Sequence, residues 1–187
     1  MAKIRTELTL DHSYLKERLH YDPSTGVFIW NAHATLPKKW NTRYAGTPAG
    51  WVHASLRGYR KITISLRKTH YLASRLAWFY VTGSWPSDQL DHINHDSLDN
   101  RFENLREVSN AENSKNRARE VRNKSGVAGV RFRKHVGKWE CSIGVDGRAI
   151  HGGRFATLEE AVAERKELEK TYGFHPNHGA PRLKVPS

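Results

Sequence analysis

Between Leu90 and Arg117 the chain reads LDHINHDSLDNRFENLREVSNAENSKNR, and this stretch leaves few options for the local fold. A short run at Gln89–His92 and a second at Leu105–Val108 have strand-like character, and the segment between them is crowded with Asp and Asn, which favour turns. Ser109 followed three residues later by Glu112 is a capping box, which predicts a helix from about Asn110 to about Glu120. Strand, loop, strand and helix in this order make a compact ββα unit. Asn113 then falls in the first turns of the helix, on fixed backbone.

The same stretch carries side chains that belong together chemically. His92 is a candidate general base, because an ordinary imidazole is largely neutral at pH 7 and can take a proton from water. Asp91 offers an anionic oxygen to a hard divalent cation and Asn113 offers a neutral amide oxygen. Mg²⁺ needs no more, since it commonly fills its octahedron with water and phosphate oxygens. Asn104, placed to bond backbone or imidazole, is expected to fix the orientation of His92. The pattern D-H-x-N-x(5)-N-x(3)-N-L-x(6)-E-N is far more specific than an Asp-His pair alone. His95 and Asp96 read as loop residues, and His70, His151, His175 and His178 lack ligand spacing.

Charge points to the substrate. The chain carries a formal net charge of +12, and a basic surface that neutralises phosphates binds nucleic acid in a salt-sensitive way. The charge is uneven: residues 1–85 hold 13 Lys/Arg against 4 Asp/Glu, whereas residues 86–113 hold 2 against 7. An acidic island inside a basic chain coincides with the Asp-His motif. That is the arrangement needed to hold a cation next to a polyanion. The segment SKNRAREVRNKS reads as a basic tether along a phosphate backbone, through Arg117, Arg119, Arg122 and Lys124.

Around this unit the pattern is α+β. Residues 8–20 predict a short helix, with Asp11 or Ser13 at its N-cap, and YDPSTGVFIW predicts a turn and then a strand over Val27–Trp30. Residues 31–58 show no periodicity and are expected to be mostly loop. GYRKITISL alternates as a half-buried strand and turns back at Arg67-Lys68, and ASRLAWFYVTG predicts a helix closed by Gly83. From Gly126 three strands are expected near 127–133, 138–145 and 149–155, with a hairpin turn at Val145–Arg148. A helix capped by Thr157 and Glu160 then places Leu158, Ala161, Val162, Arg165 and Leu168 on or near one face. The expected domains are a basic α+β region at 1–85, the ββα core at 86–120, a basic linker at 121–125, a sheet-plus-helix domain at 126–174, and an irregular tail at 175–187. The single cysteine, Cys141, rules out an internal disulfide and a multi-cysteine zinc site. No apolar run approaches the ~20 residues of a membrane span, and the first residues lack a signal-type apolar stretch. A cytoplasmic setting, in a bacterial or phage-infected cell, is the expectation.

The Asp91–Asn113 stretch resembles the HNH endonucleases, in particular the homing-type enzymes of phages and introns. The resemblance implies a ββα-metal fold with metal ligands at Asp91 and Asn113, the base at His92 and the orienting residue at Asn104. It extends upstream through YDPSTGVFIW, GYRKITISL and SRLAWFYVTGSWP. Ser74 departs from it where relatives often have histidine, and His95 where a small turn residue is more usual. The C-terminal segment resembles the DNA-binding domain of plant ethylene-response factors, through Gly129-Val130-Arg131-x-Arg133, Gly137-Lys138-Trp139, Ile143, Gly153-x-Phe155 and Thr157-x-Glu159-Glu160-Ala161. In that family the sheet enters the major groove, which implies DNA contacts from Arg131, Arg133, Lys138 and Trp139, and also from Arg148 and Arg154.

The sequence thus predicts an α+β, site-specific endonuclease of double-stranded DNA. It would use one divalent metal, Mg²⁺ or in its place Mn²⁺, with no small-molecule cofactor and no membrane partner, as a monomer or dimer. The alternative is a non-catalytic DNA-binding regulator that uses the C-terminal sheet.

Overall fold

The computed structural model describes residues 10–55, 59–109, 112–113, 115 and 125–179. The chain divides into two compact units, Met1–Val108 and Ser109–Ser187. Both are α+β, with four helices and small antiparallel sheets among the described residues. No described helix is long and apolar enough to cross a membrane.

The first unit begins with helix α1 (His12–Arg18), capped by Asp11, whose carboxylate accepts from the Tyr14 amide at 2.9 Å. The helix stops at Arg18 and not at His20, because Leu19 takes extended backbone and starts strand β1 (Leu19–Asp22). A tight turn leads to β2 (Val27–Trp30), antiparallel to β1. Residues 31–58 contain more than loop: α2 spans Lys38–Tyr44 and β3 spans Trp51–Ala54. Neither leaves a hydrophobic period to read, since α2 has no buried residue and all of β3 is exposed.

Strand β3 forms the edge of a sheet of order β3-β4-β5, with β4 at Arg60–Leu66 and β5 at Thr69–Leu72. Arg67 and Lys68 make its tight turn, both with positive φ, as the twist of a two-residue hairpin requires. Helix α3 (Ala73–Thr82) ends at Gly83 in left-handed conformation. Its Ala73, Leu76, Ala77 and Phe79 join Leu15, Leu19, Tyr21, Phe28, Ile64, Leu66, Tyr71 and Leu105 in one core. At about 25 cal/mol per Å² of buried apolar area, this cluster is what holds three small sheets and two helices in one body. The unit closes with the hairpin β6 (Gln89–His92) and β7 (Leu105–Val108).

In the second unit the expected capping box is formed: the Ser109 amide donates to the Glu112 carboxylate at 2.8 Å, and the Glu112 amide donates to the Ser109 hydroxyl at 3.2 Å. Glu112 and Asn113 are helical. The remainder of the helix expected at 110–120 lies outside the described residues. Strands β8 (Val130–Arg133), β9 (Lys138–Val145) and β10 (Arg148–Phe155) follow, in a sheet of order β10-β9-β8. The first strand begins at Val130 and not at 127, since the residues before it form turns with Gly126 and Gly129 at positive φ. Helix α4 (Leu158–Thr171) starts at the full Thr157–Glu160 capping box. The core between sheet and helix is small: Val130, Cys141, Ile143 and Ala161, with the buried Arg165 donating to the Ser142 carbonyl at 2.6 Å.

Candidate active site and nucleic-acid interface

Adjacent residues of a strand point to opposite faces, so Asp91 and His92 on β6 meet different neighbours. Asp91 faces its cross-strand partner Arg106. One carboxylate oxygen, Oδ2, accepts from Arg106 Nε at 3.1 Å and Nη2 at 2.9 Å. His92 turns toward the loop after β6, where its Nε2 lies 3.2 Å from Oδ1 of Asn100. The Asn100 Nδ2 donates to the Leu98 carbonyl at 3.3 Å. A carbonyl accepts only, which fixes the amide with Oδ1 toward the imidazole. With Oδ1 as the acceptor, Nε2 is the donor, and the neutral form of His92 that fits this contact carries its lone pair on Nδ1.

Asn104 is also buried. Its Oδ1 accepts from the Asn94 amide at 3.0 Å, and its Nδ2 donates to Asn94 Oδ1 at 3.0 Å and to the Asp99 carbonyl at 2.8 Å. Asn104 thus braces the loop backbone, while the imidazole falls to Asn100. Asp99 completes the brace, accepting from Asn94 Nδ2 at 2.7 Å and from Arg101 Nε and Nη2 at 2.9 and 2.8 Å. The Arg101 guanidinium holds the Asp99 carboxyl below the usual range. His95, at a φ of 64°, occupies the left-handed position of this loop, where a glycine would be at ease.

Asn100 is itself held from the N-terminal hairpin. It is 2% exposed, and its backbone carbonyl accepts from the Tyr21 hydroxyl at 2.7 Å. The Phe102 amide donates to the Pro23 carbonyl at 3.1 Å. Gly26, at a φ of 74°, lets the two backbones touch: a Cβ there would lie 2.4 Å from the Arg101 nitrogen and 2.5 Å from the Asn100 carbonyl carbon. The turn DPSTG is thus the rear wall of the His92 site. Asn100 stands in the motif pattern, but a turn role explains an asparagine in such a loop equally well, so only the contact reveals its place.

In front of His92 lies a cleft of about 210 Å³ lined by Tyr59, Lys61, Ile62, Leu72, Ser74, His92, Ser97 and Asn100. Lys61 makes no ion pair with a described residue. Its signal in the sequence is its place on the polar side of the alternating β4 strand. His95 and Asp96 are loop residues, and Asp96 accepts from the Leu98 amide.

Asn113 belongs to the second unit, where its amide donates to the Ser109 carbonyl at 2.9 Å. Arg117, Arg119, Arg122 and Lys124 lie outside the described residues. The C-terminal sheet gathers some of the expected DNA contacts and separates others. Register aligns Arg131, Glu140 and Arg154 in one row across the three strands, and Arg133 follows on the same face. Phe132, Trp139 and Phe155 form the next row, on the opposite face. Trp139 packs its ring 5.2 Å from that of Phe132, apart from the arginines. Lys138 is exposed, and Arg148 stands exposed beside the Asp146-Gly147 turn.

Residues 71–115 match the family model described as HNH endonuclease. That span contains Asp91, His92, Asn100, Asn104 and Asn113, and it stops before the C-terminal sheet. No curated protein and no solved structure matches the chain. The match suggests DNA nuclease chemistry for this region, and HNH nucleases generally use a divalent metal.

Proposed function

We propose that the protein is a homing-type, site-specific endonuclease of double-stranded DNA, with His92 as general base, Asp91 and Asn113 as metal ligands, and Mg²⁺ as the ion. The observation that carries this reading is the imidazole of His92, tied through Nε2 to a buried amide and opening on a cleft, within the span that matches HNH endonucleases. A neutral histidine whose Nε2 is engaged as donor would present the lone pair of Nδ1 to a water. That water oxygen bonds to phosphorus as its proton passes to Nδ1, and the bond from phosphorus to the 3′ oxygen breaks, with the departing oxygen taking a proton from solvent. The products are a 5′-phosphate and a 3′-hydroxyl. Lys61 adds positive charge at the cleft where the phosphodiester enters, and the Asn94–Asp99–Asn104 brace keeps the loop from yielding as it does so.

By their chemistry, a carboxylate and an amide oxygen would suit a hard cation. One carboxylate and one amide oxygen leave most of an octahedron to water and phosphate, as Mg²⁺ prefers, and Mn²⁺ accepts the same ligands. When bound, the ion would stabilise the charge on the pentacovalent phosphate and on the departing oxygen. The sheet of the second unit, with Arg131, Arg133, Lys138, Arg148 and Arg154, and the basic segment of Arg117, Arg119, Arg122 and Lys124 would hold the duplex.

The test is cleavage of supercoiled DNA with Mg²⁺, Mn²⁺ or EDTA, beside His92→Ala. Metal-dependent cutting that is lost in the variant is the expected result. DNA binding without cutting in any metal would identify a non-catalytic regulator instead.

A further inference from the structure

The face of the C-terminal sheet that carries Arg131 and Arg154 has a carboxylate at its centre. Glu140 is 5% exposed, and its cover is three guanidinium groups. Oε1 accepts from Arg131 Nε at 3.1 Å and Nη2 at 2.6 Å, and from Arg133 Nη2 at 3.0 Å. Oε2 lies 3.5 Å from Arg154 Nε. The arginines come from both flanking strands, so the cluster spans the full width of the sheet. Three positive groups around one negative group leave the face cationic. The Arg131 and Arg154 side chains are still 55% and 57% exposed, with most of their donors turned to solvent.

A cross-strand ion pair for stability alone needs one arginine. Three long cations drawn to one carboxylate are a different device, because each gives up rotamer freedom before any partner arrives. An arginine so fixed can meet a guanine edge bidentately, whereas a free one reaches for any phosphate.

We propose that Glu140 is a positioning residue that holds Arg131, Arg133 and Arg154 as a rigid fork against the base edges of duplex DNA, and that its charge restrains the face from unspecific attraction to the backbone. This rests on the reading that the sheet binds DNA. Hydrogen bonds from Arg133 and Arg131 hold the pKa of Glu140 down to about 2, which agrees with a carboxylate that stays ionised at every working pH.

The experiment uses the full chain in EDTA, so that nothing is cut. Salt titrations of binding to random-sequence duplex, and selection of sites from a random duplex pool, are run on wild type, Glu140→Gln and Glu140→Asp. Glu140→Gln keeps the shape and removes the charge: binding to random duplex should tighten severalfold, the log–log salt slope should steepen by about one, and the selected motif should lose definition. Glu140→Asp keeps the charge and shortens the reach, so the slope should stay and the motif should weaken. An unchanged slope and an unchanged motif in Glu140→Gln overturn the proposal, as do an unchanged motif and affinity in Glu140→Asp should the Gln variant fail to fold. A combined Arg131→Ala, Arg133→Ala, Arg154→Ala variant that binds DNA like wild type would overturn the underlying reading of the sheet, and the proposal with it.

Discussion

His92 donates through Nε2 to Oδ1 of Asn100 at 3.2 Å, and the backbone carbonyl of that same asparagine accepts from Tyr21 at 2.7 Å. The candidate base is thus anchored, through one buried residue, to a strand about seventy positions earlier in the chain. A neutral imidazole free to rotate would present either nitrogen to the cleft. Here an acceptor, Oδ1 of Asn100, stands at Nε2.

If that anchor matters for chemistry, Asn100→Ala should lower kcat by about 100-fold, a part of the 10²–10⁴ that general-base catalysis contributes. DNA affinity in EDTA should stay within a factor of about two, since Asn100 offers the duplex almost no surface. Single-turnover cleavage beside a binding isotherm separates the two quantities. A kcat within threefold of wild type would mean that the imidazole needs no such tether.

The rear wall makes a sharper demand on Gly26. A methyl group there would meet backbone atoms of Asn100 and Arg101 within 2.5 Å, and backbone cannot step aside as a side-chain end can. With its positive φ, Gly26→Ala should cost about 2–3 kcal/mol of stability. It should also lower cleavage, because the loop that yields carries Asn100. Tyr21→Phe removes only a donor to one buried carbonyl and should cost about 1–2 kcal/mol. Urea unfolding of the two variants gives the comparison, and a Gly26→Ala protein as stable as wild type would show that the hairpin and the loop do not press on each other.

How much of this the sequence disclosed depends on the kind of signal each part leaves. The β6–β7 hairpin, the Ser109–Glu112 and Thr157–Glu160 capping boxes, the α3 helix with Gly83 and the Arg67-Lys68 turn all follow from local chemistry, in which each residue type has a short-range reason. Strand β3 and helix α2 were hidden because they bury nothing, and burial is what imprints a period on a sequence. The partner of His92 was hidden for another reason. Asn104 and Asn100 both fit a turn-rich loop, and only the long-range contacts with Tyr21 and Gly26 decide which amide reaches the imidazole. Glu140 was concealed in the same way, since its three arginines are neighbours across strands and not along the chain.

Arg106 competes with any cation for Asp91. Its Nε and Nη2 both address Oδ2, so a divalent ion that takes this carboxylate meets a positive charge already in place. Arg106→Gln should tighten Mn²⁺ binding by about 3–10-fold, which is about 0.7–1.4 kcal/mol. Calorimetric titration of the DNA-free protein with Mn²⁺ measures it. Equal or weaker binding in the variant would show that Arg106 orients Asp91 for the metal and does not oppose it.

Lys61 should act on substrate capture and not on the chemical step. It borders the His92 cleft without a partner among the described residues, so Lys61→Ala should raise KM for DNA by about 3–10-fold with kcat nearly unchanged, the pattern of lost uniform binding. A fall in kcat at constant KM would instead put the ammonium on the transition state.

Acid should loosen the C-terminal sheet through Glu140. Arg133 and Arg131 hold its carboxyl at about 2, below the ordinary glutamate value of 4.5. A folded-state value below the unfolded one means that the stabilisation is fully present above pH 4.5 and is lost as pH falls toward 2. Thermal melting followed on the amide signals of residues 138–155 should therefore show the wild-type midpoint falling through that window. Glu140→Gln should melt lower than wild type at neutral pH, change less across the window, and approach wild type near pH 2. Parallel curves for the two proteins would mean that the three arginines hold the carboxylate without stabilising the sheet, and the cluster's role would then lie in arranging the arginines alone.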